Sequence, residues 1–315
     1  MKLLFVWVAA ALIASASSAQ QQPRTVPRVP RIPPAAMRAL QTQVMLDRAG
    51  YSPGEIDGAM GTNTKNALAA FQKGGGDASA LPSDAIVSYR ITDEDAAGPF
   101  TPDIPDDLVE QSKLDSLGYR DLLELLGERF HCSPALLRRL NPNAQFTAGA
   151  EIVVPNVQGT IDPTRPPQDG ETPPRQNGVD VTLTVTRSTS TLVVADEGGT
   201  TIFFAPVTTG SEHDPLPIGN WKVTGVQHDP SFHYNPELFW DADPKNTKAV
   251  IKPGPNNPVG VVWIDIDRPH YGLHGTPEPS QIGKTTSHGC VRLTNWDALR
   301  VASFVHPGTR VVFAQ

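Results

Sequence analysis

The sequence predicts a multidomain chain in which two small helix-containing units precede a β-rich domain over residues 180–315, a sandwich with one short helix. Three observations carry this reading. The 31 prolines in 315 residues are about twice the usual share, and they cluster: five fall from Pro23 to Pro34 and five from Pro163 to Pro174. Between those runs apolar residues recur at helical spacing, and after the second run they alternate as in strands. Charged side chains make up 19% of the chain, 33 acidic against 26 basic, for a formal charge of −7. No basic excess exists to neutralise phosphates, so nucleic acid is not an expected partner.

The N-terminus sets the expected compartment. Met1-Lys2 is followed by an apolar run over residues 3–13 and by the small residues of 14–19, the pattern of a secretory signal peptide over 1–19. The run is too short to span a bilayer comfortably, so no membrane span is expected after cleavage, which removes Lys2 and one positive charge. The mature protein is expected in a bacterial periplasm, associated with the wall. Cys132 and Cys290 then share a space where disulfides persist, but a bond between them would tie two separately folding units across a proline spacer.

Residues 20–35 and 157–179 read as extended proline-rich spacers that let the flanking units move relative to one another. Between them, Leu40, Val44, Leu46 and then Ala67, Leu68 and Phe71 suit two helices separated by a tight glycine loop, Ile56-Asp57-Gly58 included. The run "LDRAGYSPGEIDGAMGTNTKNALAAFQ" resembles the small helical peptidoglycan-binding domain, here over 36–73. Residues 74–106 read as linker. From 107 to 156, "YRDLLELLGERFHCSPALLRRLNP" gives helix, turn and helix before a strand at 151–155. This unit resembles a divergent LysM module, a βααβ fold that grips N-acetylglucosamine polymers. Its opening strand is not evident, and Leu117-Gly118-Tyr119-Arg120 stands in that place.

The second half alternates. Strands are predicted at 181–186, 191–195, 201–205, 221–226, 261–266 and 310–313, with one amphipathic helix over 295–305 capped by Thr294 or Asn295. The segment 227–260 carries six prolines with Tyr234, Phe239, Trp240 and Asn256, and a loop of that length is usually functional. Trp296 reads as core.

Chemistry concentrates in "LHGTPEPSQIGKTTSHGCVRLTN", and five of the eight histidines lie from His228 to His288. A thiol two residues from one imidazole and sixteen from another can be a nucleophile with its base. Cys290 just ahead of a helix would also have its pKa lowered by the helix dipole. The competing zinc reading uses His270, His274, His288 and Cys290, which lack the usual ligand spacings. No metal and no cofactor is expected.

"HGT", ten residues, then "SHGCVRLTN", closing a β-rich exported domain, resembles the L,D-transpeptidase (YkuD) catalytic domain. The resemblance implies Cys290 as nucleophile and His274 as general base, oriented by the carbonyl of Gly275. It implies His288 as a second imidazole, and backbone N–H groups of Gly289 and Cys290 as an oxyanion hole. It also implies Arg292 and Ser287 as lining of the donor site and residues 227–260 as the loop that roofs it. The implied reaction forms a thioester on a peptidoglycan stem peptide. An amine then resolves it, giving a 3→3 cross-link, or anchoring an outer-membrane protein or lipoprotein to the wall. Water as acceptor would make a carboxypeptidase or endopeptidase, and a non-catalytic peptidoglycan-binding protein is the remaining alternative. Whether His274 rests neutral or paired as imidazolium with a thiolate is open from sequence.

Overall fold

The computed structural model describes residues 32–157, 159–164 and 180–315. The expected signal peptide, most of the first spacer and most of the 157–179 linker lie outside the described residues.

The first unit is a helical pair, α1 (Pro34–Arg48) and α2 (Thr62–Lys73). Buried Gln43 organises the loop between them, donating to the Asp57 carboxylate at 2.8 Å and to the Thr64 hydroxyl at 3.1 Å, and accepting from the Gly58 N–H at 2.8 Å. Residues 74–106 are not a plain linker, because they contain β1 (Ile86–Arg90) and α3 (Asp93–Ala97), the latter capped reciprocally by Thr92 and Asp95. After α4 (Leu108–Gln111) come α5 (Leu122–Arg129), α6 (Pro134–Leu140) and β2 (Glu151–Pro155). β1 pairs antiparallel with β2, so the second unit has an opening strand, 30 residues upstream of its expected place. The insertion between β1 and α5 hides it from a motif reading.

The second half holds β3 (Val181–Thr186), β4 (Thr191–Asp196), β5 (Thr201–Pro206), β6 (Gly219–His228), β7 (Phe232–Tyr234), β8 (Ala249–Ile251), β9 (Val262–Ile266), β10 (Gly272–His274), β11 (Val291–Arg292), α7 (Asn295–Ala302) and β12 (Arg310–Ala314). Eight strands form one sheet in the order β11-β10-β9-β6-β12-β3-β4-β5, and β7 and β8 make a separate hairpin. The sheet curls until its ends meet. Beyond β5, Thr208 donates to the Arg292 carbonyl at 3.0 Å and accepts from the Arg292 N–H at 2.9 Å, joining the β5 end to β11. Alternation decides the inner face: β3 buries Val181, Leu183 and Val185, which pack with Leu273, Val291 and the Leu299 face of α7 in one core. The Thr294 side chain caps α7 by accepting from the Asp297 N–H at 3.2 Å.

The units share cores, so the expected mobility between them is corrected. Leu40, Val44 and Ile56 of the first unit pack with Leu126, Leu137 and Ile152 of the second. Leu46 and Tyr51 of the first unit pack with Phe204 of β5. Residues 50–52 cover the edge strand β5, with Ser52 N–H donating to the Phe204 carbonyl at 2.8 Å and Phe204 N–H donating to the Gly50 carbonyl at 2.9 Å. Trp296 belongs to this junction: its ring stacks on His131 of the second unit at 5.0 Å and 7°. Cys132 and Cys290 are both free thiols, Cys132 buried in the shared core.

Polar groups are buried at the junction. Ser52 donates to the Asp297 carboxylate at 2.9 Å, and Asn295 contacts the Glu128 carboxyl. Burial, reinforced by the neighbouring Glu124 charge, pushes Glu128 up to about 8, and burial pushes Asp297 up to about 7. Glu128 is therefore protonated in the fold at neutral pH, while in the unfolded chain it ionises from its ordinary 4.5 upward. Its raised pKa costs no stability below 4.5, and the cost grows as pH rises to about 8. Glu128→Gln is thus expected to match wild type in thermal unfolding near pH 4.5 and to exceed it by several degrees at pH 8, at roughly 2–4 °C per kcal/mol. An equal difference at both pH values would contradict this.

Candidate active site

The site is built where β10 and β11 run side by side. Their parallel register sets Leu273 against Val291 and His274 against Arg292, so the imidazole and the residue after the thiol segment share one row. The turn 287–290 is tied at both ends: Ser287 N–H donates to the Thr209 carbonyl at 3.1 Å, and its hydroxyl donates to the Cys290 carbonyl at 2.6 Å. Gly289 sits at φ +103°, and a Cβ there would fall 2.5 Å from the Tyr271 ring. The Cys290 thiol points to the His270 carbonyl at 3.6 Å.

His274 is buried and stacks on Trp263, ring centroids 5.5 Å apart. Its Nδ1 lies 2.6 Å from the Gly275 carbonyl. A carbonyl can only accept, so Nδ1 carries the proton and Nε2 keeps its lone pair. Gly275 can hold this position only without a side chain, since a Cβ would lie 2.2 Å from the Asn295 Oδ1.

His274, Ser287, His288, Cys290 and Arg292 line one cavity of about 1100 Å³, while Gly275 and Gly289 are not among the residues that line it. Residues 229–258 form a lid over the cavity. From it Asp241 accepts a hydrogen bond from His288 Nε2 at 2.8 Å, and Phe239 meets the His288 ring edge-on at 4.9 Å. Among the described residues no three of His, Cys, Asp and Glu converge to hold a metal ion.

The catalytic half matches the family model for the "L,D-transpeptidase catalytic domain" over residues 180–313. Residues 180–313 belong to the YkuD L,D-transpeptidase family. Residues 37–76 match a second model, "Putative peptidoglycan binding domain". The chain is similar to "Putative L,D-transpeptidase YkuD" of Bacillus subtilis, 28% identical over 193 residues that span 61% of this chain and 92% of that protein. It is also similar to the protein of the same name in Bacillus licheniformis, 50% identical over 60 residues that span 19% of this chain and 36% of that protein. Among solved structures, an L,D-transpeptidase from Mycobacterium smegmatis is 18% identical, covering 44% of this chain and 60% of its own, with a TM-score of 0.36.

Within the L,D-transpeptidase domain the electrostatics correct one expectation. Cys290 stands just ahead of strand β11 rather than just ahead of a helix, and α7 begins five residues later with its N-terminus capped by Thr294. Burial pushes the thiol up to about 11, against smaller opposing effects of the Gly272 backbone and Arg292. Burial also pulls His274 down to about 3, helped by the Arg292 charge. Thiol and imidazole both rest neutral. The domain also uses residues the sequence did not single out: Asp241, Trp263 and Tyr271. Asp241 lies 47 residues from its histidine in a loop without periodicity, so no local pattern marks it.

Alkylation of Cys290 by iodoacetamide should therefore climb about tenfold per pH unit from 6 to 9.5 without levelling, because the reactive thiolate stays scarce below a pKa of about 11. Intact mass against time measures this; a plateau below pH 8 would show a resting thiolate instead.

Proposed function

We propose that the protein transfers the acyl group of a peptidoglycan stem peptide through a thioester on Cys290, with an amine as acceptor. The observation that carries this reading is the free Nε2 of a Gly275-oriented His274 in the cavity that also holds the Cys290 thiol and the Arg292 guanidinium. The sulfur attacks the carbonyl on the L-centre side of the L,D bond. As the C–S bond forms, the thiol proton passes to His274 Nε2, and it leaves on the amine of the departing D-alanine. An amine then attacks the thioester, its proton passing by way of His274 Nε2 to the departing Cys290 sulfur, which regenerates the thiol and releases the acylated product. Arg292 pairs with a carboxylate of the donor stem. The backbone N–H groups of the 288–290 turn receive the oxyanion, and Gly289 allows the close approach.

The peptidoglycan-binding unit supports a wall polymer as substrate, and β1, α5, α6 and β2, with α3 and α4 inserted after β1, support a LysM-like glycan contact by the second unit. The signal-like N-terminus supports export to the periplasm. Among the described residues no helix is long and apolar enough to cross a membrane.

Incubation with a carbapenem, an acylating mimic of the donor, should add its mass to wild-type protein and not to Cys290→Ala. His274→Ala should slow acylation about a hundredfold or more, within the usual range for a general base. Absence of the adduct on the wild type would refute the reading, and muropeptide analysis of the products identifies the acceptor. With His274 held near 3, the imidazole stays neutral across pH 5–8, so acylation should show no acid limb there. The loss expected as pH falls through the imidazole pKa moves below that window, and an acid limb with a midpoint near 6.5 would contradict the lowered pKa of His274.

A further inference from the structure

The lid over Cys290 has no core of its own. Its hairpin, β7 and β8, has three residues per strand, and an isolated hairpin of that size is marginal in water. Its apolar residues Tyr234, Ile251, Phe232, Phe239, Ala242 and Ala249 stand apart from the main core of the L,D-transpeptidase domain. They pack instead with Ile104, Leu108, Val109, Leu114 and Leu117, the insertion that separates β1 from α5 in the second unit.

Polar contacts fix the register of that packing. Leu117 N–H donates to the Pro253 carbonyl at 3.2 Å, and Asn256 N–H donates to the Leu117 carbonyl at 2.9 Å. The Asn256 side chain donates to the Gly118 carbonyl at 2.8 Å and accepts from Arg120 at 2.9 Å. Gly254, at φ +142°, lies so close that a Cβ there would fall 2.2 Å from the Leu117 carbonyl oxygen. At the other end of the insertion, Asp107 caps α4 by accepting from the Glu110 N–H at 2.9 Å and lies beside Asn246 of the lid. Asp106, Asp107 and Leu108 also line the same cavity as Cys290.

We infer that the insertion at residues 104–119 is the positioning element of the lid, and forms the outer wall of the substrate cavity of the L,D-transpeptidase domain. Leu117 is its central positioning residue. It acts through Tyr234 and Ile251, which hold the segment that sets Phe239 and Asp241 against His288. Substrate affinity thus depends on residues more than 150 positions before the nucleophile and outside the family's catalytic domain. This rests on the reading of Cys290 as the acylated residue.

The test compares two probes of Cys290 in the full chain. A carbapenem needs the walls of the cavity; iodoacetamide, a small neutral alkylator, needs only the thiol. Leu117→Ala is expected to weaken the apparent affinity for the carbapenem at least tenfold, with its limiting acylation rate within about threefold of wild type. Iodoacetamide alkylation should be unchanged or faster, and amide exchange over residues 232–251 should quicken. Leu117→Met should restore the affinity. Asn256→Ala, which removes the side-chain hydrogen bonds to the Gly118 carbonyl and Arg120, supplies a second variant should Leu117→Ala fail to fold, with a loss of at least threefold expected. Unchanged carbapenem affinity in variants whose lid exchanges faster would overturn the inference. So would an equal slowing of both probes, which signals general damage to the site. A wild type that takes no carbapenem would instead refute the proposed chemistry.

Discussion

The parallel pairing of β10 with β11 is the constraint from which the site follows. These strands are three and two residues long, too short to persist alone, and each borrows order from elsewhere. β10 is held by β9 in antiparallel register, His274 opposite Trp263, and β11 is held by Thr208 where the curled sheet closes. Closing the sheet therefore does two things: it completes the core around Leu273 and Val291, and it brings the chain of Cys290 beside the chain of His274. A register slip of one residue in either strand would turn its side chains to the opposite face, separating thiol and imidazole while leaving the rest of the sheet intact.

Charge in the cavity is arranged for a transition state rather than for the resting enzyme. Arg292 is the cation nearest the reacting groups, and in a buried setting it opposes a second positive charge on His274. A resting imidazolium is thereby disfavoured, and burial independently disfavours a resting thiolate. In the proposed acyl transfer, proton transfer would then accompany attack on the carbonyl, at the moment when negative charge appears on the substrate oxygen and offsets the cation forming on His274. The same Arg292 charge that adds to the cost of the imidazolium favours an anion beside it, while burial keeps the thiol neutral against that pull.

The sequence made the long strands and the reactive segment legible because their signals are local. Alternation over 181–186 needs only six residues to be read, and β3 buries its valines and Leu183 as that pattern requires. "SHGC" brings thiol, imidazole and a permissive glycine together by bond connectivity alone. What was not legible depends on partners far away in the chain. β1 is an ordinary five-residue strand, and only its pairing with β2, about 65 residues on, gives it meaning. Asp241 looks like any loop carboxylate until the lid folds over His288. The proline runs misled because composition reports the stiffness of a segment, not the affinity of the units on either side. Leu40 and Val44 on α1 are as compatible with a self-contained helical pair as with the core they actually share with α5 and α6.

That sharing changes how the N-terminal half relates to the chemistry. Tethered modules would raise the local concentration of polymer around the catalytic half without fixing its direction. Here the first unit contributes Leu46 and Tyr51 to a cluster with Phe204, and the second contributes His131 to a stack with Trp296. Neither unit keeps its apolar surface out of water without the other or without the sheet. The buried polar groups between them, Asp47, His131, Ser52 and Asp297, find partners only in one relative orientation, and misplacing any of them leaves a buried polar atom unsatisfied. Apolar contact supplies the association and the polar groups supply its angle. Under the proposed function, a polymer strand held by the first unit would reach the Cys290 cavity at a set direction and distance, and the second unit, packed against both, lends the insertion that lines that cavity.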